Sequence, residues 1–508
     1  MPSTDTNQGP KPKPKPKSRA KPGPSFIFVE ARNSPSGRPQ DEDAKAAIRR
    51  QAARSGRKHQ QLQLQTPDPS RENSLAPGQG RVDDELPLTL TRWNPPLLTP
   101  QPAAAGYEAL KVKYNFDITY LSPLTDIALG KLGSVMMQEN PTLVRHLISQ
   151  HDASFLSYLP SRYGSSLCLD AAIDCLAAAA GQMFGSLRPI RPASLSMLYG
   201  RALQSLQAAL NDGSAYKSSE VYCATRLLTL YELISHPEAD HHILHSRGGS
   251  RIVQLRGPKN HTTPFDYMLL KSQGPFIVVD AMSTSAHTIL EAPEWQRVME
   301  DASQAETDPD ASSWWDLFAA IALMPGMVAD MLAFCKRHVS HAPTDSRYFD
   351  EGADLHDRAR RLRNKCHKDH AHYMSKIPHR LPLYAAPIAP ESPDRIWMRL
   401  FYLTVPIQMC RAIATLSIDE SERATAEAEA QMLVAQMLLI LRTAEKIDPA
   451  MAFYFGQQEC VPASVVHTRA LFAPENEQPP PDEIGRYLAD RWLKWQAAII
   501  GFIVDNLN

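Results

Sequence analysis

Apolar residues recur at helical spacing in one segment after another from about residue 83 onward. Within 195–210 and 220–235 they fall every three or four positions, which lines one face of an α-helix. The first stripe comprises Leu195, Leu198, Tyr199, Ala202, Leu203, Leu206 and Leu210. The second comprises Val221, Ala224, Leu227, Leu228, Tyr231 and Ile234, widened by Leu230 and Leu233. We expect the two stripes to be buried against one another.

The same spacing predicts helices through most of the remaining body. They lie near 125–150, 167–185, 243–256, 313–336, 345–375, 395–416, 419–446 and 482–505. The run 276–279 is an isolated strand candidate, and no fixed-period repeat is evident. The sequence therefore predicts an all-α protein. Its large multi-helix domain is assigned to residues 83–508, as a single helical body that begins between about 85 and 120.

Residues 1–82 differ from this body in composition. Residues 1–24 contain seven prolines, several alternating with lysine, and proline fixes φ and removes a backbone donor. Residues 61–82 are rich in Gln, Pro and Ser, which is typical of a linker. Between them, acids at 41–43 and the alanines that follow predict one basic helix at about 41–60. We expect a disordered basic arm that carries this helix.

Charge is distributed unevenly along the chain. Residues 11–60 hold fourteen Lys and Arg against four acids, a net of +10. Because the whole chain has a net charge of −1 and residues 1–10 contribute −1, residues 61–508 carry −10. Such asymmetry favours a polyanionic partner, although a solubilising tail is the alternative.

The arm therefore supplies candidates for DNA contact and for recognition by a nuclear import receptor. The first cluster comprises Lys11, Lys13, Lys15, Lys17, Arg19 and Lys21. The second comprises Arg49, Arg50, Arg54, Arg57 and Lys58, which share one broad face of the predicted helix.

No motif for catalysis or cofactor binding is recognisable. The chain has no phosphate-binding loop, dinucleotide fingerprint, nucleophile elbow or H-E-x-x-H zinc helix. Its seven cysteines include no C-x-x-C pair, so we expect reduced thiols and neither metal nor cofactor. The donor-rich run 366–372 is interpreted as a solvated helix, and the histidines at 241–245 as core residues.

No membrane segment or leader is predicted. The lysine-rich start has no apolar core typical of a secretory signal, and we find no stretch of about eighteen apolar residues. The expectation is a soluble intracellular protein.

The stretch 197–281 carries a resemblance to a known family. It contains Leu230-Tyr231-Glu232, then His245 followed by Gly248-Gly249, then a basic apolar segment ending Arg256-Gly257-Pro258. In this order the residues resemble the fungal-specific transcription factor domain, in the acriflavine-sensitivity-control-like branch of zinc-cluster regulators. The resemblance covers about 150–500.

The resemblance implies a scaffold rather than an active site. Gly248 and Gly249 would allow helices to approach closely, and Gly257-Pro258 would end a helix. Glu232, His245, Arg251 and Arg256 are expected to form one polar network that joins adjacent helices.

Two departures from the family are visible. Members commonly carry six cysteines that hold two zinc ions, whereas this chain has no cysteine before Cys168. The tryptophan expected just before the motif histidine is also absent, since Ile243-Leu244 precede His245. The first departure bears on whether the chain binds DNA directly and sequence-specifically. The second bears only on packing.

These observations predict a nuclear transcriptional regulator of a fungal biosynthetic (secondary-metabolite) or metabolic gene set. The resemblance adds a possible homodimer or co-regulator contact through the helical body. Two alternatives remain open. One is a co-regulator that binds no DNA, and the other is an enzyme of unfamiliar type on a helical scaffold.

Overall fold

The structure is a computed structural model. It describes residues 103–127, 154–185, 191–239, 241–340, 345–376, 393–447, 456–473 and 483–505, with isolated positions between 137 and 148. The basic arm, its two clusters, the boundary at residue 83 and most of the helix predicted near 125–150 lie outside the described residues.

Helices of eight residues or more are numbered here in chain order. The first five are α1 (Ala105–Tyr114), α2 (Leu167–Met183), α3 (Pro192–Asn211), α4 (Ser219–Ser235) and α5 (His241–Arg256). Four follow, α6 (Pro264–Thr284), α7 (Pro293–Ala305), α8 (Pro309–Ile321) and α9 (Met324–Ser340). The last five are α10 (Asp345–Lys376), α11 (Pro393–Leu416), α12 (Glu420–Ile447), α13 (Cys460–His467) and α14 (Ile484–Asp505).

The predicted all-α class is confirmed, since the described residues form helices and no strand. Buried apolar side chains from Tyr107 to Ile499 belong to one contiguous cluster. The predicted helices at 167–185, 195–210, 220–235, 243–256, 345–375, 395–416, 419–446 and 482–505 agree with α2–α5, α10–α12 and α14 to within a few residues.

The strand candidate at 276–279 is wrong, because these residues lie inside α6. That helix begins with Pro264 and a capping box, in which Thr263 and Asp266 bond to each other's backbone N–H. The helix therefore begins twelve residues before Phe276, and residues 276–279 continue it.

The single helix predicted at 313–336 is two helices, α8 and α9. An uninterrupted helix would need the backbone N–H of residue 325 to bond to the carbonyl of Ile321. Pro325 has no N–H and cannot form this bond, and the break between Ile321 and Met324 lies just before it, whereas α6 and α11 continue through Pro275 and Pro406.

The predicted packing of α3 on α4 is confirmed where the Tyr199 and Tyr231 rings stack with centroids 4.7 Å apart. Helix α2 packs more extensively against both. Its buried face is rich in alanine, which allows this close packing.

Two helical stretches reach the length and hydropathy of a membrane span, which the prediction did not find. The first is Pro309–Ser340, in which 72% of the most apolar stretch of eighteen residues is buried inside the protein. The second is Glu420–Ala444, in which 44% of the corresponding stretch is buried. The helix pair Phe155–Arg162 and Leu167–Met183 is also long and apolar enough when taken together, but its two helices meet at a bend of 116°. Most apolar residues of Pro309–Ser340 therefore serve the helical core.

Candidate functional site

The resemblance residues lie on α4, α5 and the turn that follows α5. Glu232 near the end of α4 is buried, with 1% of its residue surface exposed. Its Oε2 atom lies 3.0 Å from Nδ1 of His236 and 3.4 Å from Nδ1 of His241. Its Oε1 atom lies 3.9 Å from Nε2 of His245. One carboxylate thus connects the end of α4 to the first turns of α5, and we call this the Glu232 cluster.

Burial raises the pKa of Glu232, but the hydrogen bonds with His236 and His241 and the charge of His245 outweigh it. The pKa of Glu232 therefore lies well below its usual range. Burial lowers the pKa of His245, against the opposing field of the carboxylate. Tyr199 on α3 completes the cluster, with its hydroxyl 3.1 Å from Nε2 of His245.

These properties suit a structural role. A general base works best with a pKa near the working pH, and the Glu232 carboxylate is far below it. The cluster instead joins α3, α4 and α5 through groups that are buried and charged or hydrogen-bonded.

A second network centres on Arg256, the last residue of α5. Its guanidinium pairs with Asp266 at 2.8 Å and donates to the carbonyls of Ser218 at 3.0 Å and Asn260 at 2.7 Å. Asp266 also accepts from the hydroxyls of Ser219 and Thr263, each at 2.6 Å. The Arg256 hub, as we call it, therefore fixes the start of α4, the end of α5 and the start of α6 together.

The predicted single network of Glu232, His245, Arg251 and Arg256 is wrong in two respects. His245 and Arg256 share a face of α5 but are eleven residues apart, about 16 Å along the axis. They therefore belong to separate networks. Arg251 lies off that face, is exposed, and donates to Gln254 on its own helix.

The close helix approach that was predicted for this glycine pair is confirmed at Gly249. A Cβ atom on Gly249 would lie 2.7 Å from Oε1 of Gln273, whose amide donates to the Ser246 carbonyl at 2.9 Å. The predicted helix stop is confirmed. Gly257 takes φ +68°, a conformation that favours glycine, and Pro258 begins a short 3-10 turn.

The histidine-rich run on α10 is only in part the solvated helix that was expected, since Lys368, Ala371 and His372 are exposed and the other members are buried or half-buried. Cys366 is buried, with Sγ 3.8 Å from the Tyr402 carbonyl, and the His370 ring stacks on Tyr402 at 4.9 Å. His367 pairs with Glu429 of α12 at 2.7 Å. Among the described residues, no group of three or more His, Cys, Asp or Glu is arranged to hold a metal ion.

The interpretation of the 241–245 histidines as core residues is confirmed for two of them. His242 is 0% and His245 is 4% exposed, whereas His241 is half-buried.

Comparison with known proteins assigns neither family nor activity. The chain is 29% identical over 196 residues to an uncharacterized protein of Emericella nidulans, which covers 37% of this chain and 41% of that relative. The match thus spans less than half of the relative's length. No family model matches the sequence, and no solved structure matches it.

His261, beside the Arg256 hub, provides a pH-dependent test of this packing. Its ring is 2% exposed, and Nδ1 lies 3.0 Å from the Gly257 carbonyl. Burial, followed by the charge of Arg256, lowers the pKa of His261 from 6.5 to about 4, although the Gly257 bond and Asp266 act in the opposite direction. The ring is therefore neutral in the folded protein over a range in which the unfolded chain binds a proton.

We expect His261 to reduce stability as pH falls from 6.5 towards 4, because the unfolded state then holds more protons. In His261→Gln, the loss of unfolding free energy between pH 7 and pH 4 should be about 2–3 kcal/mol smaller than in wild type. Urea unfolding followed by circular dichroism at several pH values measures this. Equal pH slopes in the two proteins would contradict the assignment.

Proposed function

We propose that this protein is a nuclear regulator of transcription. Its basic arm binds nucleic acid, and its helical body contacts a second copy or a co-regulator protein. The gene set we propose is a fungal biosynthetic (secondary-metabolite) or metabolic one. The resemblance across 197–281 supports the regulator, and the relative in a fungus supports only the fungal setting.

The observation that carries the proposal is the separation of charge along the chain. A segment of fifty residues with a net charge of +10 precedes a body of net charge −10. Lys and Arg contacts to phosphates release counterions, which gives sequence-independent affinity that weakens with salt. An acidic body disfavours non-specific contact elsewhere on its surface, so the arm is the region suited to a polyanion.

The helical body supports the regulator over an enzyme. The polar residues of the resemblance are used to join helices, in the Glu232 cluster and the Arg256 hub. The carboxyls at the centre of the two arrangements, Glu232 and Asp266, are buried and their pKa values are lowered, which does not suit either of them to proton transfer with a substrate at neutral pH.

Deleting residues 1–60 should abolish nuclear accumulation and reduce chromatin association. Two variants of full length separate the roles of the arm. One replaces Lys and Arg of the first cluster with Gln, and the other does the same in the second cluster. Imaging of a tagged chain and genome-wide occupancy mapping provide the two measurements.

An unrelated import signal attached to the truncated chain is the control. If regulation then returns fully, the arm serves only as a nuclear import signal and contacts no DNA. If regulation remains lost, the face carrying Arg49, Arg50, Arg54, Arg57 and Lys58 acts beyond import. Nuclear entry of the truncated chain without help would refute the import proposal.

Binding to a DNA duplex tests the nucleic-acid contact directly. The slope of log affinity against log salt should become shallower by about 0.9 for each phosphate contact removed with the second cluster. Failure of the full chain to bind any duplex at low or high salt would favour a co-regulator that acts through protein contacts alone.

A further inference from the structure

Helix α12 exposes one regularly spaced row of residues. Among its described side chains from 421 to 444, the exposed ones follow gaps of four and three in alternation. They are Ser421, Thr425, Ala428, Met432, Ala435, Leu439 and Arg442. The mean spacing of 3.5 residues is the repeat that keeps one seam facing a partner helix along its whole length. We call these seven residues the outer stripe.

The outer stripe is apolar between its two ends. Met432 and Leu439 are 53% and 55% exposed, and no charged residue occupies a stripe position from 425 to 439. The Thr425 hydroxyl donates to the Ser421 carbonyl of its own helix at 2.8 Å, so it does not require water. The centre of the stripe therefore has no polar group that depends on solvent.

The exposed face of α10 shows what a solvated helix of this protein looks like. Its exposed positions carry Asp350, Asp354, Asp357, Arg361, Lys365 and Lys368. By contrast, Glu420–Ala444 has the hydropathy of a membrane span, yet only 44% of that window is buried within the chain. The contrast indicates that the outer stripe is covered by something other than the described parts of its own chain.

We propose that the outer stripe packs antiparallel against the outer stripe of a second copy of this chain, as a two-helix coiled coil. In a heptad, Thr425, Met432 and Leu439 take the a positions, and Ser421, Ala428, Ala435 and the terminal Arg442 take the d positions. In antiparallel register each a residue lies opposite a d residue. Met432 then meets Ala428 of the second copy, and Leu439 meets Ser421, so a large side chain fills the space beside a small one.

The charges at the ends of the stripe favour the same orientation. Asp419 and Glu420 are exposed at the start of α12, and Arg442 is exposed near its end. A parallel pair would place like charges side by side at both ends. An antiparallel pair places Arg442 beside Glu420 of the second copy at each end. The surface is thus complementary to itself, as a two-fold interface requires.

The interface should be weak, because one helix pair from 421 to 442 is only roughly 33 Å long. A pair of this length buries less than the roughly 1,600 Å² of a standard stable interface. We therefore expect a dissociation constant in the micromolar range.

Sedimentation velocity of the full chain from about 1 to 100 µM tests the proposal. The mass should rise with concentration from 56.5 kDa towards twice that value. Met432→Glu should raise the dissociation constant at least about tenfold. Met197→Glu is the matched control, because Met197 is 73% exposed on α3, away from the stripe, and should leave dimerisation unchanged.

Charge reversal tests the register. Arg442→Glu and Glu420→Arg should each weaken the dimer, and the double variant should restore it. Unfolding curves of each variant identify any loss of fold separately. A monomer at every concentration, or a dimer that tolerates Met432→Glu, would overturn the proposal.

Spin labels distinguish orientation. All seven native cysteines are buried, so a label on Ser421→Cys reports one site. Antiparallel pairing places the two labels roughly 27 Å apart, whereas parallel pairing places them roughly 10 Å apart. A short distance would overturn the antiparallel arrangement. Thiol accessibility of Met432→Cys in dilute monomer tests the other occupant. A thiol that does not react with reagent under these conditions would show that the chain covers its own stripe, and a second copy would be excluded.

Discussion

Arg256→Met should lower the free energy of unfolding by about 3–5 kcal/mol, because it leaves a buried carboxylate without its cation. Asp266 is 3% exposed and would keep only its bonds from the Ser219 and Thr263 hydroxyls and from the Thr263 backbone N–H. The carbonyls of Ser218 and Asn260 would lose their donor as well. Methionine retains most of the apolar volume, so the loss measures the charge network. Urea unfolding followed by circular dichroism provides the value.

Arg251→Met is the matched control on the same helix. Arg251 is exposed and bonds only locally, to Gln254, so its removal should change stability by no more than about 0.5 kcal/mol. Equal losses for the two variants would mean that the Arg256 hub does not hold the three helix ends together.

Arg411→Met should have an effect of similar size, about 3–5 kcal/mol, in the C-terminal half of the sequence. Arg411 is fully buried in α11, and its guanidinium pairs with both carboxylate oxygens of Glu427, at 3.1 and 2.9 Å. It also donates to the Thr468 hydroxyl at 2.6 Å and lies 3.9 Å from the centroid of the Phe472 ring. The substitution strands Glu427 in a site enclosed by α12, α13 and the turn that follows.

Two further variants test that explanation. Arg360→Met breaks an ion pair with Glu422 that is half exposed, and should cost at most about 1 kcal/mol. The double variant Arg411→Met with Glu427→Leu removes both buried charges and should recover at least about 1 kcal/mol of the single-variant loss. A double variant as unstable as the sum of its parts would contradict the stranded-carboxylate explanation.

The helices were predictable wherever the apolar period was strong. Both 220–235 and 243–256 agree with the structure, and the stop at Gly257-Pro258 follows from local chemistry alone. The failure at 276–279 arose because β-branched propensity was weighed without the capping signal at Thr263 and Asp266. The break between α8 and α9 lies at Pro325, but α6 and α11 continue through Pro275 and Pro406, so a proline in the sequence does not by itself specify a break.

The candidate site was only partly predictable. Glu232, His245 and Arg256 were identified, but the helical period that puts Arg251 on another face was not applied to them. Asp266 was missed, although its place three residues after Thr263 is a visible helix-start signal. The pairing of Tyr199 with His245 joins positions 46 residues apart, and no local pattern specifies such a contact.

The Arg256 hub also bears on the order in which the chain acquires structure. All of its members lie within residues 218–266, so the loops that bring them together are short. Closing short loops costs little chain entropy, and local contacts of this kind form early in folding. Arg411, by comparison, needs Thr468, 57 residues further along. During synthesis, α4 to α6 can therefore assemble around Arg256 before α11 to α14 have been synthesised, so the later helices can add to a part of the fold that is already formed.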